Sequence, residues 1–181
     1  MSQHILLTGG ATPLGMALAE RLRATGHRVT PAEGDVREAA VMQAAFAKGP
    51  FTALVHLDGL FDAAACAGDP LACHGLHVQG ALAMLEEARK HGVPHIVLRG
   101  LTMEGATGPL QVSLLAAERF AEVHAALHAQ RITLVRLPED RLVNVPDAAG
   151  HFLHLLATDG APVFTASEGV RPGRTSGVPA E

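Results

Sequence analysis

Thr8-Gly9-Gly10-Ala11-Thr12-Pro13-Leu14-Gly15 decides how the rest of the chain is read. The apolar run His4-Ile5-Leu6-Leu7 precedes it, and Leu14, Leu18 and Leu22 follow at i, i+4, i+8. That order is strand, glycine turn, amphipathic helix. A turn of this kind brings backbone N–H groups to the positive end of a helix, where a pyrophosphate binds. The stretch therefore predicts a dinucleotide site.

Outward from this turn, strand-like and helix-like runs alternate along the 181 residues. Strands are predicted at 4–8, 27–31, 52–57, 95–99 and 131–136, with a weaker one at 162–165. Helices are predicted at 13–25, 36–48, 75–91, 110–129 and 146–157. Gly26 and Gly92 stand where helix C-terminal glycines belong. The run Phe51 to Leu57 is mostly apolar, as a strand covered on both faces should be. Such alternation predicts an α/β fold: a Rossmann-like, doubly wound parallel sheet in three αβα layers. One domain is expected over 1–165. The Gly-, Pro- and Ser-rich end predicts a flexible tail over 166–181.

The chain is 48% hydrophobic with a net charge of −4. Its basic residues are scattered, which argues against nucleic acid as a partner. No apolar run reaches the ~18–20 residues of a membrane span. The amino terminus opens into a strand without a basic leader, so a cytoplasmic location is expected. Two cysteines, Cys66 and Cys73, make no disulfide framework by number alone.

An acidic residue about 20 positions past the glycine loop commonly takes the adenosine ribose. Glu33 and Asp35 lie 18 and 20 residues past Gly15. A carboxylate there accepts two hydroxyls and repels a 2′-phosphate, which favours NAD. Arg37 beside it suits a 2′-phosphate, so NADP stays an alternative.

Residues 4 to 165 resemble the short-chain dehydrogenase/reductase superfamily, in its extended branch of NAD-dependent epimerases and dehydratases. Thr8 to Gly15 is similar to that branch's TGxxGxxG loop. Gly34-Asp35-Val36-Arg37-Glu38 resembles its GDxxD segment, whose Asp addresses the adenine amine. Val55-His56-Leu57-Asp58 resembles its VHLA segment, and His77 to Val93 its NVxGTxNLLEAARxxGV helix. The resemblance implies cofactor contacts from Thr8, Gly9, Gly10, Thr12, Pro13, Leu14, Gly15, Glu33, Asp35, Val36, Leu57 and Asp58. It also implies a homodimer through helices near 75–91 and 110–129. The superfamily's strand order is 3-2-1-4-5-6, and with one strand before Gly34 the outermost third strand is expected to be lost.

The departures bear on chemistry. Thr12 and Pro13 replace the middle glycine and its neighbour, crowding the pyrophosphate and removing one N–H. The family's YxxxK acid/base pair falls on Leu110 and Leu114, aligned through Ser113 to Glu118. The chain has no tyrosine at all, and its two lysines, Lys48 and Lys90, stand elsewhere. The family's serine falls on Gly100, or on Thr102 if the register slips by two. Thr102 and Glu104, just past the fourth strand, are the substitutes available for acid chemistry. Asp58, Asp62 and Asp69 lie in a segment that would line the ligand crevice. The layout is also similar to flavin and biliverdin-IXβ reductases, whose DxGHF segment Asp147 to Leu153 resembles.

Three functions are consistent with these features. One is a dinucleotide-dependent sensor or regulator lacking the usual chemistry. Another is an NAD(P)H-dependent reductase or epimerase acting on a small or flat acceptor without a tyrosine acid. The last is a structural protein with an empty cleft. Of eleven histidines, His74 and His77, His124 and His128, and His151 and His154 pair at helical spacing. A zinc site needs three or four ligands. No second pair joins any of them in sequence, so no metal site is assigned, and Ser113 is expected on a helix surface.

Overall fold

The computed structural model describes residues 2–102, 108–138, 144–158 and 164–168. Among the described residues, six parallel strands form one sheet: β1 (His4–Thr8), β2 (Arg28–Pro31), β3 (Ala53–His56), β4 (His95–Leu101), β5 (Arg131–Leu137) and β6 (Phe164–Glu168). Their order is β2-β1-β3-β4-β5-β6. This is the expected Rossmann order without its third strand, and β2 is the edge among the described residues. β1, the strand that delivers the glycine turn, pairs with β2 through Leu7 and Pro31 and with β3 through Thr8 and His56.

Helices cover both faces. α1 (Pro13–Ala24) packs against α7 (Val145–Ala157), while α2 (Ala39–Phe46), α5 (Gly80–Lys90) and α6 (Pro109–His128) cover the opposite face. Side chains alternate along the strands between two apolar layers. Ile5 and Leu7 meet Leu18 and Phe152 on one side, and Leu6 and Leu54 meet Met84 and Phe46 on the other. Period-2 alternation with apolar residues on both faces is what buries a parallel sheet.

Four predictions are corrected. The second helix begins at Ala39 rather than 36, because Asp35, Arg37 and Glu38 are used in a turn. The segment after β3 holds two short helices, α3 (Ala63–Gly68) and α4 (Pro70–His74). Asp62 caps the first and Asp69 the second, each accepting a backbone N–H three residues on, so these two carboxylates are spent on helix starts. One turn of π-helix, Gly75–Gln79, then leads into α5. The last strand runs to Glu168, past the boundary expected at 165; the rest of the predicted tail, 169–181, lies outside the described residues. Ser113 is buried in α6 rather than on its surface.

Candidate functional site

The glycine turn closes tightly over the ends of β1 and β3. Gly9 sits at φ +66°, where a Cβ would come within 2.8 Å of the Asp58 nitrogen and the Leu57 carbonyl carbon. A Cβ on Gly15 would press into the Gly9 carbonyl and stand 2.8 Å from the Gly10 Cα. Only glycine permits helix and turn to approach so closely. Thr12 is the N-cap of α1 and Pro13 its first residue. The Thr12 hydroxyl turns back into the loop, donating to the Gly9 carbonyl at 2.7 Å and accepting from the Gly15 N–H at 3.1 Å. The polar end expected to crowd a pyrophosphate is thus held by the loop itself. The N–H groups of Ala11 and Leu14 make no hydrogen bond in the described structure. They are unpaired donors at a helix start, which suits a diphosphate.

At the end of β2, Pro31 approaches Gly10 and Glu33 is exposed. Asp35 is gripped by Arg37, whose Nε donates to Oδ1 at 2.9 Å and Nη2 to Oδ2 at 2.5 Å. Those hydrogen bonds hold the Asp35 carboxyl below the usual carboxylate range. Val36 is buried against Gly80, where a Cβ would lie 2.8 Å from a Val36 methyl. Leu57 is buried beneath the turn. Asp58 is half-buried; its carboxylate accepts the Gly59 N–H at 3.0 Å, and burial pushes its pKa up.

The other end of the crevice is different. Leu110 and Leu114, where the sequence reading expects the family's acid/base pair, are 2% and 3% exposed. They pack with Phe61, Leu101, Cys66 and Cys73 in one apolar cluster. Beside them lies a cavity of about 20 Å³ bounded by His56, Asp58, His77, Arg99, Leu114 and Glu118, room for about one water molecule. Thr102 follows β4, and its N–H donates to the Leu137 carbonyl at 2.6 Å. Glu104 lies outside the described residues.

Several polar groups at this corner escaped the sequence reading. His56 is buried and shares a 2.7 Å hydrogen bond with the Thr8 hydroxyl. Burial pushes its pKa down to about 4, so it is neutral at pH 7. The His77 Nε2 lies 2.8 Å from the Leu60 carbonyl oxygen, and Arg99 stacks 3.6 Å over the Phe61 ring. Glu118 accepts a hydrogen bond from Arg136 at 2.8 Å. A clue to His56 was its polar identity inside an otherwise apolar strand. Glu118 and Arg136 give no clue, since a helix residue and a strand residue 18 apart meet only through the fold.

Cys66 and Cys73, read as forming no framework, come together as a disulfide joining α3 to α4. His77, rather than His74, stands beside them.

Residues 5–107, more than half the chain, match the NAD dependent epimerase/dehydratase family. The chain belongs to that family. Solved structures of similar fold include the UDP-glucose 4-epimerase of Thermus thermophilus in complex with NAD. It is 18% identical, with a TM-score of 0.77, over 91% of this chain and 76% of that one. WbmF of Bordetella bronchiseptica, crystallised with NAD+, is 14% identical, with a TM-score of 0.75, over 91% and 72%. The UDP-glucose 4-epimerase of Thermotoga maritima, crystallised with UDP-glucose, is 18% identical with a TM-score of 0.69. The match covers 74% of this chain but only 55% of that enzyme. No curated protein matches the sequence.

Proposed function

We propose that this member of the epimerase/dehydratase family binds NAD through its adenosine and diphosphate half and works as a dinucleotide-dependent sensor or regulator. The observation that carries the reading is the burial of Leu110 and Leu114 in an apolar cluster where family members place their proton-transfer pair. Two leucines move no proton. General acid/base groups contribute about 10²–10⁴ in rate, so the usual reaction loses most of its acceleration.

The diphosphate end is favoured by the geometry of the turn. Ala11 and Leu14 offer N–H groups, Thr12 keeps its hydroxyl within the loop, and Gly9 and Gly15 let the backbone approach. Glu33 and Asp35 stand at the ribose end, with Val36 as the apolar surface beside them. A bound nicotinamide would supply hydride transfer, but the corner beside Leu114 leaves it little room. No helix is long and apolar enough to cross a membrane among the described residues.

The assembly expected is a homodimer through α6. Val112, Leu115, Phe120, Val123 and Leu127 are all exposed large apolar residues on that helix. At helical spacing they fall within an arc of about 140° opposite the buried face. Such a stripe marks an interaction face, and a second copy offers the same stripe in return.

Calorimetric titration of the full chain with NAD+, NADP+ and ADP-ribose tests the proposal. NAD+ and ADP-ribose should bind with similar affinity and NADP+ more weakly. No binding of any of them at millimolar concentration removes the dinucleotide reading. NADH oxidation against flavins, quinones or ketones would replace the sensor with a reductase.

A further inference from the structure

The sequence offers His124 and His128 one helical turn apart and no third partner. The fold supplies one. Glu86 of α5 lies against α6, and the ligand atoms of Glu86, His124 and His128 all fall within 4.8 Å of one another. The His124 Nδ1 is 3.6 Å from Oε1 of Glu86. The imidazole rings of His124 and His128 have centroids 4.6 Å apart.

The hydrogen bonds behind these atoms set what each presents. The Gln130 amide Nε2 donates to the Val93 carbonyl at 3.1 Å, which fixes its orientation. Its Oε1 then faces Nε2 of His124 at 2.9 Å and can only accept. His124 therefore carries a proton on Nε2, and in the neutral ring Nδ1 is a bare lone pair. That lone pair points at a carboxylate oxygen, which is also an acceptor. The other Glu86 oxygen is held by Arg89, whose Nη2 donates to it at 2.9 Å. Two acceptors 3.6 Å apart with outward partners fixed are arranged as metal ligands usually are, each oriented by a group behind it.

We propose that Glu86, His124 and His128 form a binding site for a divalent transition-metal ion, with Zn²⁺ the natural occupant by donor chemistry. Two imidazole nitrogens and one carboxylate oxygen are a common catalytic-type zinc set, with the fourth position left to water. At zinc bond lengths of about 2.0–2.2 Å, tetrahedral ligands stand roughly 3.3 Å apart. The 3.6 Å between Glu86 and His124 needs a small closing movement, and a rotation of the exposed His128 side chain brings the third ligand in from within 4.8 Å. Glu86 and His128 are open to solvent, so an ion has a path in. Val93 and Gln130 precede β4 and β5, which puts the site at the amino-terminal edge of the sheet. The glycine turn lies at the opposite edge, so the ion clamps α5 to α6 and takes no part in the dinucleotide crevice.

The test titrates Zn²⁺ into the untagged full chain against a chromophoric chelator, with thermal unfolding and the Co²⁺ absorption spectrum as further readouts. One ion per chain should bind, raise the unfolding midpoint and give a Co²⁺ spectrum of low coordination number. Glu86→Gln and His128→Gln alter exposed ends of the site and should each weaken binding at least tenfold. The double variant Cys66→Ser/Cys73→Ser should bind as the parent does, which separates this site from the cluster of Cys66, Cys73 and His77. Absence of stoichiometric binding, an unchanged affinity in His128→Gln, or loss of binding in the cysteine variant would each overturn the assignment.

Discussion

Glu118 Oε2 accepts a hydrogen bond from Arg136 Nη2 at 2.8 Å, and its Oε1 stands 3.0 Å from where a Cβ on Gly100 would lie. A carboxylate from α6 thus fills the space above Gly100. Glu118 is nearly buried and Arg136 partly exposed. Removing one partner of a fully buried pair costs about 3–5 kcal/mol, and solvent screening of Arg136 reduces that. Glu118→Ala should lower stability by about 2 kcal/mol in urea unfolding. The double variant Glu118→Ala/Arg136→Ala should be less destabilised than the two single losses summed. Strict additivity would show that the pair contributes no coupling.

Thr12 is expected to be structural rather than obstructive. Its hydroxyl bonds both the Gly9 carbonyl and the Gly15 N–H, and loss of such a cap costs about 1 kcal/mol. Thr12→Ala should lose about that much, with dinucleotide affinity changed by less than threefold. Thr12→Gly, which still serves as a cap at a cost of about a few tenths of a kcal/mol, should likewise leave NAD affinity unchanged in calorimetry. Tighter NAD binding in either variant, or no loss of stability in Thr12→Ala, would contradict this account of the loop.

The pH dependence of stability has a source in His56. Its pKa is about 4 in the fold against 6.5 for the free side chain, because burial disfavours the charged ring. Between those values the unfolded chain binds the proton that the folded chain refuses. Stability contributed by the neutral ring is therefore complete above pH 6.5 and is lost as pH falls toward 4, by about 3 kcal/mol in all. Burial lowers the pKa of His77 too, so it acts in the same direction. His56→Asn should flatten the unfolding free energy between pH 4 and 6.5. An unchanged slope would assign the acid sensitivity to other groups.

Much of the architecture was legible because strand and helix periods are local properties of the chain. Leu14, Leu18 and Leu22 announce α1, and Phe51 to Leu57 announces a strand covered on both faces. The end of β2 and the loss of the third strand could be read from Gly34-Asp35 following so soon. The segment 58–74 was not legible, because α3 and α4 are too short for periodicity and are started by caps at Asp62 and Asp69. Pairings such as Cys66 with Cys73, Glu118 with Arg136, and Glu86 with His124 depend on helix packing. A single chain carries no local sign of those. The absence of any tyrosine was readable, but the burial of Leu110 and Leu114 was a matter for the fold.

That burial predicts the fate of a restored lysine. Leu114 is 3% exposed among Phe61, Leu101 and Leu110. An ammonium placed there loses its hydration beside a Glu118 carboxylate already bonded to Arg136, a cost of several kcal/mol, and its pKa falls. Leu114→Lys should destabilise by about 3–5 kcal/mol at pH 7, and less at pH 9, where more of the amine is neutral in both states. Leu114→Met keeps volume and apolarity and should cost under about 1.5 kcal/mol. Equal stability of Leu114→Lys and the parent would mean that this corner opens to water, and the sensor reading would lose its main support.

The exposed stripe on α6 makes the most direct prediction about assembly. Leu115 is 49% exposed and Phe120 46% exposed in the single chain, so a charge at either position should change monomer stability by no more than about 0.5 kcal/mol. In a dimer the same positions would face a second α6, and two carboxylates would be buried together across the two-fold axis. Leu115→Glu and Phe120→Glu should therefore shift light-scattering mass from two chains to one at micromolar concentration. Far-UV circular dichroism should remain that of the parent. Glu20, on the outer face of α1, provides a control: Glu20→Lys should leave the mass unchanged. If the parent scatters as a single chain, or if both stripe variants keep its mass, α6 is not the interface.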